Sequence, residues 1–526
     1  MPHPIITPSR INSSRINPSR RQVLGASAAA AATLTIPRVH AASGDGEIRL
    51  ALIGCGGRGT GAANDAIKAS PVPVKLVAMA DVFENKLENS FRALTNENVD
   101  NPKSIDVPKE RRFVGFDGYR GAMDALRPGD IAIFASPLAF RWVHFQYAIE
   151  KGLNVFMEKP VVADGPTGRR MLELSAAADA KGLKCAVGLM VRHCRARQAL
   201  LSQIRDGAIG DIVAMRAYRM HGPVASAFSK RKPDDVSETM YQIDRFHSFL
   251  WASGGCFSDF YIHQIDETSW MKGDWPVSAH GLGGRHYRGD YVDQNFDTYH
   301  VEYTYPDGSK LFFDGRCMNG CRNNMSSVVH GAKAAAVVSE SGHTPGRVKI
   351  YKSQEQNRRN IAWQYGYKEE SPYRLEWEDL IEAIIRNQPY NEVPRGVRAS
   401  LVTSMGRMAA HTGQQITYDQ MLGCEHEFAP DVDRLTADGP APLTPLPDGS
   451  YPVPQPGIVR DREYQPYVPE RVEPSETRPA ADTKPDTKDA IGADATSDAG
   501  VTTVDTPKTQ TTSDASGASA KSSAKP

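Results

Sequence analysis

The chain has 526 residues, and its 62 Lys and Arg side chains balance 62 Asp and Glu side chains, so its formal net charge at pH 7 is zero. This length is sufficient for two or three domains, and the charge balance gives no indication of nucleic acid or an acidic polymer as a partner. The seven cysteines include no CxxC pair. We therefore predict unpaired, mostly buried thiols, without a disulfide framework or a zinc site.

The N-terminal residues 1–44 have the pattern of an export signal. They contain five arginines and no acidic residue, and SRRQVL precedes an Ala-rich apolar run over 25–36. That run is too short to span a bilayer and is followed by the small-residue cleavage site Val39-His40-Ala41. The paired arginines indicate the twin-arginine route to the periplasm or cell surface, with no membrane anchor after cleavage. The alternative is a basic, disordered N-terminus.

The next predicted elements form a cradle for a dinucleotide. An apolar strand over 47–53 runs into Gly54, Gly56 and Gly59, which have the spacing G-x-G-x-x-G, and a helix follows over 62–69. The first glycine permits a tight turn, the second lets the backbone approach a pyrophosphate, and the third lets helix and strand pack closely. The alternative is a glycine-rich turn that binds no ligand.

A second predicted strand, over 74–80, ends in Asp81. A carboxylate at this place can bind both ribose hydroxyls and disfavours a 2′-phosphate. We therefore predict NAD as the cofactor, while Arg58 leaves NADP possible. A protein exported in the folded state can carry its cofactor along, so we also predict that the cofactor is tightly bound.

Further strands and helices alternate along the chain, which predicts a parallel sheet with crossover helices. A strand over 131–135 is followed by a helix over 140–151 and a strand over 154–157. Ligands of such sheets bind outside the carboxyl ends of the strands, which is where Lys159 lies.

At GLNVFMEKPVV the chain begins to resemble a known family. The motifs are the glycine loop, Asp81, His144, Glu158-Lys159-Pro160, Gly254-Gly255, Asp259 and His263. In this order they resemble the Gfo/Idh/MocA oxidoreductases, named after glucose–fructose oxidoreductase, inositol 2-dehydrogenase and a rhizopine catabolism protein. The resemblance covers about residues 48–422 and indicates the exported, sugar-related branch.

The resemblance implies a fold and a set of cofactor contacts. The fold is an α/β N-terminal Rossmann domain and an α+β C-terminal domain with an open, mostly antiparallel sheet, through which homo-oligomers usually form. The implied cofactor-binding residues are Gly54, Gly56, Gly57, Arg58, Gly59, Asp81, Ser136, Pro137, His144, Glu158 and Lys159.

The resemblance also implies that Lys159, Asp259 and His263 are catalytic. In a helix, Asp259, His263 and Asp266 share one face, so a carboxylate could orient the imidazole and raise its basicity. Such a histidine can take the proton of a secondary alcohol while Lys159 stabilises the charge that develops on the oxygen. The alternatives are an ordinary half-buried histidine and a metal site using His263 and Asp266, which lacks a further ligand.

Four arginine and tyrosine side chains are candidates for substrate binding. Arg192 follows a strand and could bind a sugar hydroxyl or carboxylate, or form a surface ion pair. Arg285 lies in GGRH, predicted to be a turn before another strand. Tyr241 and Arg245, with the neighbouring Gln242, could cap the substrate from an inserted stretch over 221–250, which departs from the family pattern.

The remaining elements complete the predicted domain organisation. PDGS at 306–309 predicts a hairpin of an antiparallel sheet, and apolar spacing predicts packing helices over 374–387 and 396–412. The predicted boundaries are 1–44 for the signal, 46–165 for the Rossmann domain, 166–425 for the substrate and oligomerisation domain, 426–470 for a Pro-rich extension along the body, and 471–526 for a disordered tail.

Three functions compete at this point. The first is an NAD(P)-dependent oxidoreductase acting on a sugar or polyol hydroxyl. The second is an exported NAD-dependent glycoside hydrolase that works by transient oxidation, elimination and re-reduction. The third is a non-catalytic sugar-binding protein, which the presence of Lys159 and His263 disfavours.

Overall fold

The computed structural model describes residues 46–286 and 288–469. The predicted export signal over 1–44 and the predicted disordered tail over 471–526 lie outside these residues. Among the described residues, no helix is long and apolar enough to cross a membrane.

The N-terminal part of the body is built on a parallel sheet. Its strands are β1 Ile48–Ile53, β2 Val74–Asp81, β3 Arg112–Val114, β4 Ile131–Phe134, β5 Asn154–Met157 and β6 Cys185–Val187. The helices between them are α1 Gly57–Ala69, α2 Glu84–Glu97, α3 Gly118–Asp124, α4 Arg141–Lys151 and α5 Gly165–Ala180. The strand order is β3-β2-β1-β4-β5-β6, with every pair parallel. The order reverses between β1 and β4, which opens a crevice at their carboxyl ends.

The parallel sheet continues beyond the predicted domain boundary at residue 165. Helix α5 crosses over to β6, which pairs with β5 in parallel. The unit α5–β6 therefore belongs to the N-terminal sheet, in which β6 is the edge strand beside β5.

The second sheet has nine strands and is mixed but mostly antiparallel. The strands are β7 Ile212–His221, β8 Ser278–Gly284, β9 Thr298–Thr304, β10 Lys310–Cys317, β11 Asn324–Gly331, β12 Ala335–Glu340, β13 Lys349–Tyr351, β14 Ile361–Gln364 and β15 Ile416–Thr417. Their order is β14-β13-β12-β11-β7-β10-β9-β8-β15, and only the pair β7–β10 is parallel among those described. The predicted hairpin is confirmed, because β9 and β10 pair antiparallel across 305–309.

One face of this sheet is covered and the other is open. Residues of β9 and β10 alternate between buried and half-buried, as expected for a sheet with a single packed face. The helices of this part are α6 Arg195–Arg205, α7 Glu238–Asp244, α8 Leu250–Ser253, α9 Gly255–Lys272, α10 Pro372–Ile385, α11 Val393–Thr412 and α12 Tyr418–Gly423. The aromatic rings of Phe257 and Tyr261 in α9 pack on Phe313 of β10.

The helices α10 and α11 coincide with the two predicted packing helices. Trp377 of α10 stacks on Phe156 of β5, with ring centroids 4.4 Å apart. This contact places a C-terminal helix in the core of the N-terminal sheet, so the two sheets share one folded body.

The Pro-rich extension lies along this body up to the last described residue. Tyr451 and Tyr464 are each only 3% exposed, and Tyr464 stacks on Phe428. Glu463 forms a buried ion pair with Arg407 of α11, at 2.7 Å. These contacts bury two of the three tyrosines of this segment.

Candidate active site

The glycine loop joins β1 to α1 and needs glycine at two positions for packing. Gly54 has φ +95°, and a Cβ there would lie 2.4 Å from the Ser136 nitrogen. A Cβ at Gly59 would lie 2.0 Å from the Gly54 oxygen. At Gly56 and Gly57, in contrast, an added Cβ would meet nothing within 4 Å. The loop therefore presents open backbone where a dinucleotide would approach.

The N-terminus of α1 completes this cradle. Its N-cap residue is Gly56, no side chain caps it, and its first turn contains no acidic residue. The free N–H groups and the positive end of the helix dipole are suited to a pyrophosphate. The residues present thus fit the pyrophosphate of a nicotinamide dinucleotide.

Asp81 stands at the end of β2 beside this loop. Its Oδ2 accepts a hydrogen bond from the Cys55 nitrogen at 2.7 Å, and its Oδ1 accepts one from the Phe83 nitrogen at 2.9 Å. Burial raises the pKa of its carboxyl group, while these two hydrogen bonds oppose the rise. The carboxylate is therefore held rigidly at the edge of the crevice, where ribose hydroxyls would bind.

A cleft of about 100 Å³ opens along this edge. Six of the predicted cofactor-binding residues line it: Gly54, Gly56, Asp81, Ser136, Pro137 and His144. Burial, followed by the charge of Arg141, lowers the pKa of His144 to about 3. His144 is therefore neutral, and its Nδ1 lies 3.2 Å from the Ser136 hydroxyl.

Arg58 and Glu158 bind each other across the mouth of the loop. The Arg58 Nε donates to Glu158 Oε1 at 2.6 Å, and the guanidinium lies over the Tyr373 ring, 4.8 Å from its centroid. Arg58 is therefore paired with a carboxylate on the β5 side of the crevice. Asp81 lies on the other side, at the end of β2.

The inserted stretch over 221–250 reaches the cleft through residues that were not predicted. Ile243 and Phe246 line the cleft, and Asp244 pairs with Lys86 of α2 at 2.7 Å. The predicted capping residues are engaged inside the protein instead. The Tyr241 hydroxyl donates to the Lys230 carbonyl, the Gln242 amide oxygen accepts from the Trp251 indole, and Arg245 donates to the Ser229 hydroxyl.

Lys159 brings the end of β5 into contact with α9. Its Nζ donates to the Asp259 carbonyl oxygen at 2.7 Å and lies 3.4 Å from Asp259 Oδ1. Both side chains are 14% exposed. Burial opposes ionisation of Asp259, but Lys159 and His247 outweigh it and lower the pKa of this carboxyl group to about 2. The Lys159–Asp259 pair is therefore ionised.

His263 lies one helical turn away but makes no hydrogen bond with Asp259 among the described contacts. Its residue is 7% exposed, its Nδ1 is buried without a partner, and its ring centroid is 4.5 Å from that of His343. Burial, then the nearby His343 and Lys159, lower its pKa well below the usual value. The expected carboxylate–imidazole contact is thus replaced by contacts of Asp259 with other side chains, and His263 is a neutral imidazole.

His247 is the neighbour of Asp259 that sequence reasoning missed. Its Nε2 lies 3.4 Å from Asp259 Oδ2, and its Nδ1 lies 2.9 Å from the Ser226 hydroxyl. The ring also stacks on Phe260, with centroids 5.3 Å apart. No spacing rule links residue 247 to residue 259, so the only available signal was a histidine within the inserted stretch.

Arg192 and Asp266 form a bidentate ion pair. The distances are 2.7 Å from Nη2 to Oδ1 and 2.9 Å from Nε to Oδ2. Asp266 is fully buried, so the pair is an internal one rather than the surface pair considered from the sequence. Both oxygens of Asp266 are therefore bound to Arg192 and are not available for a metal site with His263. Residues 46–286 and 288–469 contain no group of three or more His, Cys, Asp or Glu placed to hold a metal.

Arg285 follows β8 and anchors a neighbouring loop. Its Nη1 donates to the carbonyl oxygens of Asp293 and Asn295, each at 2.6 Å. The predicted turn at GGRH is wrong, because β8 runs through Gly283 and Gly284. A Cβ at Gly283 would lie 2.7 Å from the Thr298 oxygen, so glycine there allows close pairing with β9.

Comparison with known proteins agrees with this architecture. Residues 198–337 match the GFO/IDH/MocA C-terminal domain. This match supports the family resemblance found in the motifs; it begins within α6 and ends within β12. No curated protein matches the sequence.

Solved structures with the same fold include sugar and polyol enzymes. Myo-inositol 2-dehydrogenase from Lactobacillus plantarum matches with a TM-score of 0.52 and 22% identity, over 70% of this chain and 99% of its own. Aldose-aldose oxidoreductase from Caulobacter crescentus matches with a TM-score of 0.55 and 14% identity, over 70% and 99%. A putative NADPH-dependent oxidoreductase from Desulfitobacterium hafniense matches with a TM-score of 0.55 and 17% identity, over 72% and 99%. At these identities the likeness establishes the fold, and the predicted fold class is confirmed.

Proposed function

We propose that the protein is an NAD(P)-dependent oxidoreductase of the Gfo/Idh/MocA family that transfers hydride between a sugar or polyol hydroxyl and a nicotinamide cofactor. The observation that carries the proposal is the contact of Lys159 with Asp259 beside the open glycine loop. It joins the carboxyl end of a parallel sheet, where a dinucleotide would bind, to the helix that carries His263.

The chain's own residues can perform the proton transfer that accompanies hydride transfer. His263 is a neutral imidazole, so a ring nitrogen is available to accept the proton of the substrate hydroxyl. Lys159 can donate a hydrogen bond to the same oxygen and stabilise its developing negative charge, while Asp259 holds the ammonium group in position. A bound nicotinamide would supply the hydride acceptor or donor.

The arrangement favours NAD over NADP as the cofactor. Asp81 would repel a 2′-phosphate at the end of β2, and Arg58, the side chain that could neutralise that phosphate, is paired with Glu158. We expect the purified protein to bind NADH more tightly than NADPH, measured by nicotinamide fluorescence, and the Asp81→Ala variant to reduce that preference.

Contacts from the inserted stretch support tight retention of the cofactor. Ile243 and Phe246 line the cleft, and the Lys86–Asp244 ion pair ties the stretch to α2. A cofactor retained by these contacts suits an exported protein, and it also favours the second candidate function, a glycoside hydrolase that returns the hydride within each turnover.

The test is to incubate the purified protein with free sugars, polyols and aryl glycosides in excess NAD or NADP. Reduced nicotinamide that accumulates with a free sugar or polyol supports the oxidoreductase. Aglycone release without net reduction supports the hydrolase. Lys159→Met should abolish either activity, and activity retained in this variant would refute the assigned site.

The proposal also includes a location and an assembly. Export to the periplasm or cell surface rests on the sequence of 1–44. A homo-oligomer would form through the open face of the second sheet, where Leu282 is 67% exposed. Signal cleavage in a secreting host and light scattering of the purified protein test these two points.

A further inference from the structure

Arg219 is a guanidinium beside the proposed catalytic residues that lacks a carboxylate partner. It lies on the covered face of β7, opposite Gly315 of β10 and Met325 of β11. Its Nη1 donates to His343 Nε2 at 2.9 Å, and its Nε is buried without a hydrogen-bond partner. Among the described residues, no aspartate or glutamate forms an ion pair with it.

The contact with Arg219 determines which nitrogen of His343 carries a proton. A guanidinium has donors only, so Nε2 of His343 must accept, and in the neutral ring Nδ1 then carries the hydrogen. That Nδ1 is also buried without a partner. Burial, followed by the charge of Arg219, lowers the pKa of His343 well below its usual value, so the ring is neutral. Two side chains in contact thus each hold an N–H donor that has no acceptor.

Three other cations around the site are paired with carboxylates. Lys159 is paired with Asp259 at 3.4 Å, Arg197 with Glu267 at 3.0 Å, and Arg192 with Asp266 at 2.7 Å. The two imidazoles, His263 and His343, are uncharged because of their lowered pKa values. Arg219 therefore lies next to the proposed proton acceptor without an ion-pair partner among the described residues.

We propose that the substrate carries a carboxylate, as in a uronic or aldonic acid, and that Arg219 binds it. This inference rests on the proposed function and names the substrate class of that site. The Nη1 group of Arg219 is used by His343 and Met325, and Nη2 makes no described hydrogen bond, so Nη2 is the donor left for a carboxylate oxygen. A carboxylate monoanion matches the single charge of Arg219, whereas a phosphate dianion would exceed it.

The test compares sugar acids with their neutral counterparts by isothermal titration calorimetry on the cofactor-loaded protein. Glucuronate and glucose, galacturonate and galactose, and gluconate and glucitol are matched pairs, and glucose 6-phosphate is the phosphate arm. We expect at least one sugar acid to bind roughly 10- to 100-fold more tightly than its neutral counterpart, the range expected for charge-assisted hydrogen bonds.

Variants locate the effect on one side chain. Arg219→Met should remove the preference for the acid, and Arg219→Lys should retain part of it. The matched control is Arg216→Met on the same strand. Arg216 lies on the open face of the sheet, and its ion pair with Asp314 is long, with 3.9 Å between Nη2 and Oδ2. This control should bind both members of each pair as the unaltered protein does. If Arg219→Met does not fold, the matched pairs and Arg219→Lys still decide the question.

Three results would overturn the inference: equal binding of acids and neutral sugars, tighter binding of the phosphate arm, or an equal loss for acid and neutral ligands in Arg219→Met. The proposed function fails separately. If a neutral sugar reduces the nicotinamide and acids have no advantage, only this inference fails. If a sugar acid binds through Arg219 but no hydride is transferred and no aglycone is released from any substrate, only the proposed function fails.

Discussion

Replacing Glu463 with glutamine tests how the segment 426–469 is attached to the folded body. Both oxygens of Glu463 accept hydrogen bonds from Arg407, and Oε2 also lies 2.6 Å from Nδ1 of His411. The side chains of Arg407 and Glu463 are 0% and 4% exposed. Removing one partner of such a pair leaves a buried charge without compensation.

The expected loss of stability is about 3–5 kcal/mol, the range for breaking a buried ion pair from one side. The pKa of Glu463 gives a similar size. Burial opposes its ionisation, but Arg407 and His411 lower the pKa to about 2, against about 4.3 in an unfolded chain, which corresponds to about 3 kcal/mol. Because the folded pKa is the lower one, this stabilisation is complete above about pH 4.3 and is lost as the pH falls toward 2.

Amide hydrogen exchange is the assay, because it detects local release of the segment as well as global unfolding. The Gly457 nitrogen, which donates to the Thr412 carbonyl oxygen, reports directly on the attachment. Its exchange should accelerate roughly 10²- to 4 × 10³-fold in Glu463→Gln, at about 1.4 kcal/mol for each factor of ten. The control is Asp461→Asn, which removes the exposed partner of Arg462 and should leave the exchange of the Gly457 nitrogen nearly unchanged. Equal exchange in the two variants would refute the reasoning.

Three further predictions concern the cofactor cleft and the proposed catalytic residues. Gly54→Ala should unfold at a clearly lower temperature, because its Cβ would lie 2.4 Å from the Ser136 nitrogen. Gly56→Ala, whose Cβ would meet nothing within 4 Å, should keep the melting temperature and lose NADH affinity. The opposite pattern would contradict the assigned roles. Phe246→Ala should speed NADH dissociation in stopped-flow fluorescence, while the control Tyr367→Ala, at a residue 81% exposed, should not. His247→Gln should lower kcat roughly tenfold. The acid limb of its pH profile should move to higher pH, because His247 helps to lower the pKa of Asp259. An unchanged profile would leave His247 with a structural role only.

The fold was largely predictable because its signals are local. Alternating strands and helices predicted the parallel sheet, and PDGS predicted the hairpin between β9 and β10. The placement of the strand β6, Cys185–Val187, could not be predicted, since a strand of three residues carries little periodicity of its own. Only its pairing with β5 shows to which sheet it belongs.

The candidate site was predictable in composition but not in its contacts. The spacing of Asp259 and His263 places them one turn apart in a helix, which suggested that they pair. Spacing along a helix does not decide which partner a carboxylate takes when Lys159 arrives from 100 residues away and His247 from an inserted stretch. Lys159 and His247 both bring nitrogen atoms close to the Asp259 carboxylate. The ring of His263 packs on His343 instead.

The sequence by itself determined the glycine loop, the order of strands and helices, and the residue types available for hydride transfer, because these follow from backbone conformation, periodicity and side-chain chemistry within short segments. Only the tertiary structure decided which charges are compensated. Asp266 lies with Arg192, Glu463 with Arg407, and Arg219 with no carboxylate among the described residues. Ion pairing and burial depend on distances between segments far apart in the chain, and these distances exist only once the sheets have packed.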